Sequence, residues 1–241
     1  MILAIDCGNT RAKWGLHGGF ARPADGWRTL GSLPLGELGR LESEWQSFPQ
    51  PRAIAIAHVA GSAARERLAA ALRRFEARPI WVSARASQCG VTNGYADPAQ
   101  LGADRWAALI GARQIHRGPV LVVNAGTATT VDVLSSSGLF RGGLILPGPE
   151  LMKESLATGT AGLPLVRGEF AELPRNTADA IETGCLLAQV GAIERMYGRL
   201  EPGALCLVSG GSALRIAGRL NIPARVVENL VLEGLVLIAS S

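Results

Sequence analysis

The sequence predicts an α/β fold of two homologous lobes. Short apolar runs alternate with stretches of helical spacing along all 241 residues. A strand–glycine turn–strand pattern also occurs twice, half the chain apart. Leu3-Ala-Ile-Asp6-Cys-Gly8-Asn-Thr10 lies over Leu121-Val-Val-Asn124-Ala-Gly126-Thr-Ala128. Each copy is an apolar strand ending in a carboxylate or its amide, then a glycine, then a small polar residue and a returning strand. The repeat sets the lobe boundary near Arg117-Gly118-Pro119, giving an N-terminal lobe of 1–117 and a C-terminal lobe of 118–241.

In order, Ile2–Asp6 and Arg11–His17 form a predicted hairpin about the Gly8-Asn9 turn. Ala53–Val59 and Pro79–Ser83 read as strands. Between them Ala64, Leu68, Ala71, Leu72 and Phe75 recur at helical spacing, with Ser62 as the expected N-cap. Leu101–His116 reads as a helix. The pattern restarts with strands at Val120–Asn124, Thr129–Leu134 and Leu139–Leu146, the last stopped by Pro147-Gly148-Pro149. A long helix is expected over Thr177–Leu200, capped by Asn176 or Thr177. Strand, helix, strand and helix follow at Leu205–Val208, Ala213–Leu220, Ala224–Val227 and Leu230–Ala239.

Hydrophobic residues at 48% and charged residues at 18% are ordinary for a globular chain. The net charge of +4 admits an anionic ligand or nucleic acid. The basic residues are scattered, with no run longer than Arg73-Arg74, and aromatics do not interleave with them, so no nucleic-acid partner is expected. That basicity is nearly all arginine; Lys13 and Lys153 are the only lysines. Cys7, Cys89, Cys185 and Cys206 show no metal-ligand spacing, and free thiols in a reducing compartment account for them. Met1–Ile5 meets Asp6 without a basic leader, and the Leu230–Ile238 run is broken by Glu233 and Gly234. A cytoplasmic protein with no membrane segment is therefore expected.

There is no G-x-x-x-x-G-K-[ST], no G-x-G-x-x-G opening a helix and no G-x-S-x-G. Nucleotide binding, if present, needs another device, and the repeated turns supply one. Successive backbone N–H groups around Gly8 and Gly126 can form concavities that hold phosphate oxygens. Asn9, Thr10 and Thr127 add donors, and Lys13 adds a point charge. Asp6 ends its strand beside the first turn and suits hydrated Mg²⁺. Two ordinary hairpins, with Asp6 capping a turn, would read the same way. In Gly102-Ala-Asp104-Arg105, Asp104 either caps a helix or takes a proton from a substrate hydroxyl. Arg105 is suited to a substrate carboxylate.

Asp6-x-Gly8-Asn9-Thr10-x-x-Lys13, Gly102-x-Asp104-Arg105 and Gly126-Thr127-Ala128-Thr129 together resemble the type III pantothenate kinase (Bvg accessory factor-like) family. So do Gly142-Gly-Leu-Ile-Leu-Pro-Gly148, Asn176-Thr177-x-x-Ala180-Ile181 and Ser209-Gly-Gly211, in order and over nearly the whole chain. The resemblance implies the actin-like fold of acetate and sugar kinases, heat-shock ATPases and actin, with two ribonuclease-H-like lobes. It implies ATP-dependent phosphorylation of the primary hydroxyl of pantothenate, the first step of coenzyme A synthesis. It assigns ATP to Asp6, Cys7, Gly8, Asn9, Thr10, Arg11, Ala12, Lys13 and Thr127, and Mg²⁺ to Asp6. Asp104 becomes the catalytic base. Pantothenate falls to Tyr95, Gly102, Ala103, Asp104, Arg105 and Thr177. A homodimer with its active site at the subunit interface is implied, Thr177 serving the neighbouring subunit. Relatives carry Asp where this chain has Asn124, a position linked to K⁺ or NH₄⁺, so the expected monovalent-cation site has lost its charge here.

Overall fold

The computed structural model describes residues 1–19 and 26–241. By its internal contacts the chain divides into two units: Met1–Ile115 together with Asn229–Ser241, and His116–Glu228. The first break lies beside Arg117–Pro119. The stretch from Asn229 onward groups with the first unit, although the sequence repeat counts it in the 118–241 half.

The first unit is built on β1 (Ile2–Cys7) and β2 (Arg11–His17), antiparallel, with Asp6 opposite Lys13. Strand alternation decides what each face carries. Leu3, Ile5 and Cys7 join Ala12, Trp14 and Leu16 in the core on one face, which sends Asp6 and Lys13 to the other. β3 (Trp27–Pro34) pairs antiparallel with β2. A 3-10 turn at Leu35–Arg40 and the single-turn α1 (Leu41–Glu44) bury Leu38 and Leu41 against the same core. Trp45 follows them in, edge-on to Trp14 at 5.8 Å between ring centroids. β4 (Ala53–His58) runs parallel to β1. α2 (Ser62–Leu72) then leads to β5 (Pro79–Trp81), parallel to β4. The N-cap of α2 is Gly61, at φ 81°, and Ser62 is already helical, which corrects the expected cap. The strand order is β3-β2-β1-β4-β5.

A short antiparallel ribbon of β6 (Ser87–Gln88) and β7 (Val91–Asn93) precedes α3 (Ala103–Ile115). Trp106 is fully buried in α3, and its indole Nε1 donates to Gln88 Oε1 at 3.2 Å. Truncating it to alanine would cost about 3–5 kcal/mol, which anchors the helix that carries Asp104.

The second unit repeats the topology. β8 (Val120–Ala125), β9 (Ala128–Leu134) and β10 (Leu139–Pro147) form an antiparallel meander. After α4 (Pro149–Gly159) and α5 (Thr177–Tyr197), β11 (Leu205–Ser209) pairs parallel with β8. α6 (Ala213–Ala217) leads to β12 (Ala224–Val226), parallel to β11. These five strands lie in the order β10-β9-β8-β11-β12, matching β3-β2-β1-β4-β5 strand for strand. Leu121, Val123, Val131, Val208 and Leu186 are central to its core.

α7 (Leu230–Ser240) returns to the first unit and packs on β1, β4 and α3. Leu230, Leu232, Leu235 and Val236 are buried. Glu233, the charge that interrupts this apolar run in sequence, accepts a 2.7 Å hydrogen bond from Trp27 Nε1. Among the described residues no helix is long and apolar enough to cross a membrane.

Candidate active site

The loop between β1 and β2 is closed by Gly8 N–H donating to Arg11 C=O at 3.1 Å. Asn9, Thr10 and Arg11 are exposed, while Cys7 and Ala12 are fully buried in the core. Of the residues assigned to ATP by resemblance, Cys7 and Ala12 therefore have only their backbone to offer. Arg11 Nη2 donates to Ser32 Oγ at 2.8 Å.

Asp6 and Lys13 share the face left by the core, and the first turn of α3 brings Asp104 into range of Asp6. The Asp6 carboxyl is raised from 3.8 to about 7, chiefly by burial and then by the Asp104 carboxylate, with Lys13 opposing both. Residues 98 positions apart thus act on one proton.

The local chain explains how Asp104 is held. Gly102 C=O accepts the Trp106 N–H at 2.9 Å, opening α3. Asp104 then lies in the first turn, where a negative charge suits the helix dipole. Its Oδ1 accepts the Arg105 N–H at 2.8 Å. A Cβ at residue 102 would stand 2.7 Å from that oxygen, so only glycine leaves the carboxylate its place. Arg105 is 5% exposed. Its Nη1 donates to Tyr95 Oη at 3.1 Å, and its guanidinium lies 5.8 Å from the Tyr95 ring centre.

Asn93 and Asp97 support this arrangement, and sequence reasoning did not single them out for it. Asn93 Oδ1 accepts the Tyr95 N–H at 3.0 Å, and its Nδ2 donates to Pro98 C=O at 3.2 Å. Asp97 Oδ1 accepts the Ala99 N–H at 3.0 Å. The signal available in sequence was the Asp97-Pro98 pair, a turn-capping combination.

In the second unit the corresponding loop is one residue shorter. Gly126 N–H donates to Ala128 C=O at 3.1 Å, and Gly126, Thr127 and Ala128 are exposed. Asn124 is half-buried on β8, between Ser209 of β11 and Thr130 of β9. Thr177 is exposed at the first position of α5. Asn176 is the N-cap, its Oδ1 accepting the Asp179 N–H at 2.9 Å. Thr177 borders an open, mainly apolar groove of about 880 Å³ between α4 and α5, lined by Met152, Leu156, Ile181 and Ala188.

Among the described residues no cluster of three or more His, Cys, Asp or Glu side chains is built to cage a metal ion. A buried carboxylate backed by a second, with Lys13 only partly offsetting their charge, instead fits Mg²⁺, which keeps most of its waters and takes further oxygens from phosphates. All four cysteines are free thiols.

Comparison with known proteins agrees over the whole chain. The family description "Type III pantothenate kinase" matches residues 2–199. A type III pantothenate kinase from Aromatoleum aromaticum is 52% identical over 241 residues, covering 99% of this chain and 98% of its own. Among solved structures, a candidate Baf family transcriptional activator from Campylobacter jejuni superposes with a TM-score of 0.61 at 21% identity, covering 96% of this chain and 94% of its own. A candidate 2-dehydro-3-deoxygalactonokinase from Sinorhizobium meliloti gives 0.61 at 13% identity, over 100% and 98%. At those identities the structures speak for the fold alone, the two-lobed actin-like α/β fold also expected from the sequence. The family match and the full-length relative together establish that this chain belongs to the type III pantothenate kinases, ATP-dependent enzymes that phosphorylate pantothenate in the first step of coenzyme A synthesis.

Proposed function

We propose that the transfer of the γ-phosphoryl group to the primary hydroxyl of pantothenate, giving 4'-phosphopantothenate, is run by Asp104, Lys13 and Asp6. The observation that carries this reading is their gathering on one face of the first unit, where Asp104 and Lys13 both act on the charge of Asp6. The Arg105 N–H fixes Oδ1 of Asp104, so Oδ2 is the oxygen that orients the hydroxyl and takes its proton. Arg105 holds the pantothenate carboxylate, with Tyr95 keeping the guanidinium in place. Gly102 and Ala103 contribute backbone at the same helix start.

ATP phosphates are assigned to the Asp6–Lys13 segment and to Thr127. Backbone N–H groups and the Lys13 ammonium spread the charge that builds on the transferring group, the main source of kinase catalysis. Mg²⁺ at Asp6, when bound, neutralises phosphate charge. Asn124 offers an amide oxygen and no charge, so K⁺ or NH₄⁺ should matter little. Homodimerisation belongs to the same reading, and the open groove beside Thr177 is a surface suited to a second copy. The reading also assigns the enzyme to the cytoplasm, where reducing conditions suit four thiols.

ADP release measured with and without pantothenate tests the assignment. Asp104→Ala should lose about 10²–10⁴-fold in kcat while still binding ATP. Near-normal turnover would remove Asp104 from the base role.

A further inference from the structure

Lys153 is one of two lysines in the chain, and the reaction has no use for it. It is 8% exposed, on α4. Its Nζ lies 2.7 Å from Glu150 Oε2 and 3.0 Å from Glu182 Oε2 on α5. Arg215, on α6, places Nη1 2.9 Å from Glu150 Oε1, and its Nη2 meets Glu182 Oε1. Cations and carboxylates alternate around a closed ring, each carboxylate giving one oxygen to each cation. Burial pushes the Lys153 ammonium down, but hydrogen bonds to Glu150 and Glu182 reverse this and leave it raised.

The ring joins three helices, and each has its own tie to the loop at Gly126-Thr127 or to the strand end beside it. Gly148, the N-cap of α4 two residues before Glu150, donates its N–H to Thr127 C=O at 2.8 Å. A Cβ at Gly148 would stand 2.7 Å from the same carbonyl oxygen, so α4 abuts the loop directly. Ser212, the N-cap of α6, donates its N–H to Ala125 C=O at 3.0 Å. Gln189 of α5 donates through Nε2 to the carbonyl of Pro147, the residue opposite Ala128. Four charges thus lock together the helices that brace the loop.

We propose that the Glu150–Lys153–Glu182–Arg215 ring is a positioning device that fixes the Gly126–Thr127 loop for ATP; this rests on the nucleotide role assigned to that loop. Stability alone is a poor account of such a ring. Replacing a buried ion pair by apolar side chains of similar size is often neutral or stabilising, so the two roles can be separated.

The test is Lys153→Met/Glu182→Leu, which leaves Glu150 and Arg215 as a balanced pair. The variant should melt at or above wild type. Its KM and Kd for ATP should rise about five- to tenfold, with kcat and the pantothenate KM within about twofold. Lys153→Arg, which keeps a cation between the two carboxylates, should retain most ATP affinity. A folded double variant with wild-type ATP affinity overturns the proposal, as does a loss confined to kcat. Should the double variant not fold, Glu150→Gln decides: the side chain is 61% exposed, so folding is spared. Its ATP KM should rise about two- to threefold, and an unchanged value overturns the proposal. Thr127→Ala separates the layers. No change in its ATP KM refutes the nucleotide role of the loop and this inference with it. A raised KM there, with none in the ring variants, refutes the ring alone.

Discussion

Replacing Asp6 by asparagine should stabilise the protein free of ligand while abolishing its activity. The Asp6 carboxyl holds its proton from 3.8 up to about 7, chiefly through burial and then through Asp104. An acid that binds its proton more tightly when folded loses stability as pH climbs through that window, and the loss is complete above it. At 1.36 kcal/mol per pH unit, the rise corresponds to about 4 kcal/mol. Asparagine is isosteric and escapes that cost, but Lys13 then loses the carboxylate it faces across β1 and β2. About 2 kcal/mol is the gain we expect to remain, or about 4–8 °C in melting temperature for a chain of this size. The assay is thermal unfolding of wild type and Asp6→Asn with chelator and without nucleotide, at about pH 8 and about pH 5. The advantage should be largest at the higher pH and shrink at the lower one. A variant that melts no higher than wild type at pH 8, or whose advantage ignores pH, refutes the electrostatic account of this site.

Arg105→Ala should raise the pantothenate KM by about 10- to 100-fold and leave the ATP KM alone; steady-state kinetics with each substrate varied decides, and unchanged pantothenate kinetics would remove Arg105 from the site. Asp104→Ala and Thr177→Ala proteins mixed under exchange conditions should regain activity if the two residues meet across subunits, since one intact site forms per mixed dimer. Each variant pure should stay impaired, and no recovery in the mixture counts against the shared site. Turnover should respond by less than about twofold to K⁺ or NH₄⁺, and Asn124→Asp should introduce a clear response; activation of the unmodified protein would show that the amide suffices.

The parts of the fold legible in sequence are those where periodicity and punctuation agree. The β1–β2 hairpin, α3, α5 and the β8–β9 hairpin are close to their expected spans. β3 escaped because only Leu33 of its eight residues is buried, so backbone pairing to β2 holds it without an alternating apolar stripe. α4 escaped because Pro147-Gly148-Pro149 reads as a stop. It does end β10, yet Pro149 also sits in the first turn of a helix, where its missing N–H costs nothing. At the site, the sequence supplies Asp6 and Lys13 as a cross-strand pair, but nothing in spacing brings Asp104 to them. That needs α3 to pack on the face opposite the Trp14 core. The charge ring was equally hidden, since Lys153 and Glu182 meet only through the packing of α4 on α5. Its one trace was a second lysine besides Lys13 in a chain whose other scattered cations are arginines.

The return of α7 to the first unit bears on how the molecule comes to be. His116–Glu228 is one continuous stretch and can complete its own contacts as soon as it has been synthesised. The first unit, begun earlier, stays unfinished until Asn229–Ser241 follows. Until then the surface of α3 and β1 that receives Leu230, Leu232 and Leu235 lies bare. Order of synthesis and order of completion are thus reversed, and the half bearing Asp6 and Asp104 is the later to mature, with an apolar face that calls for protection from aggregation in the interval.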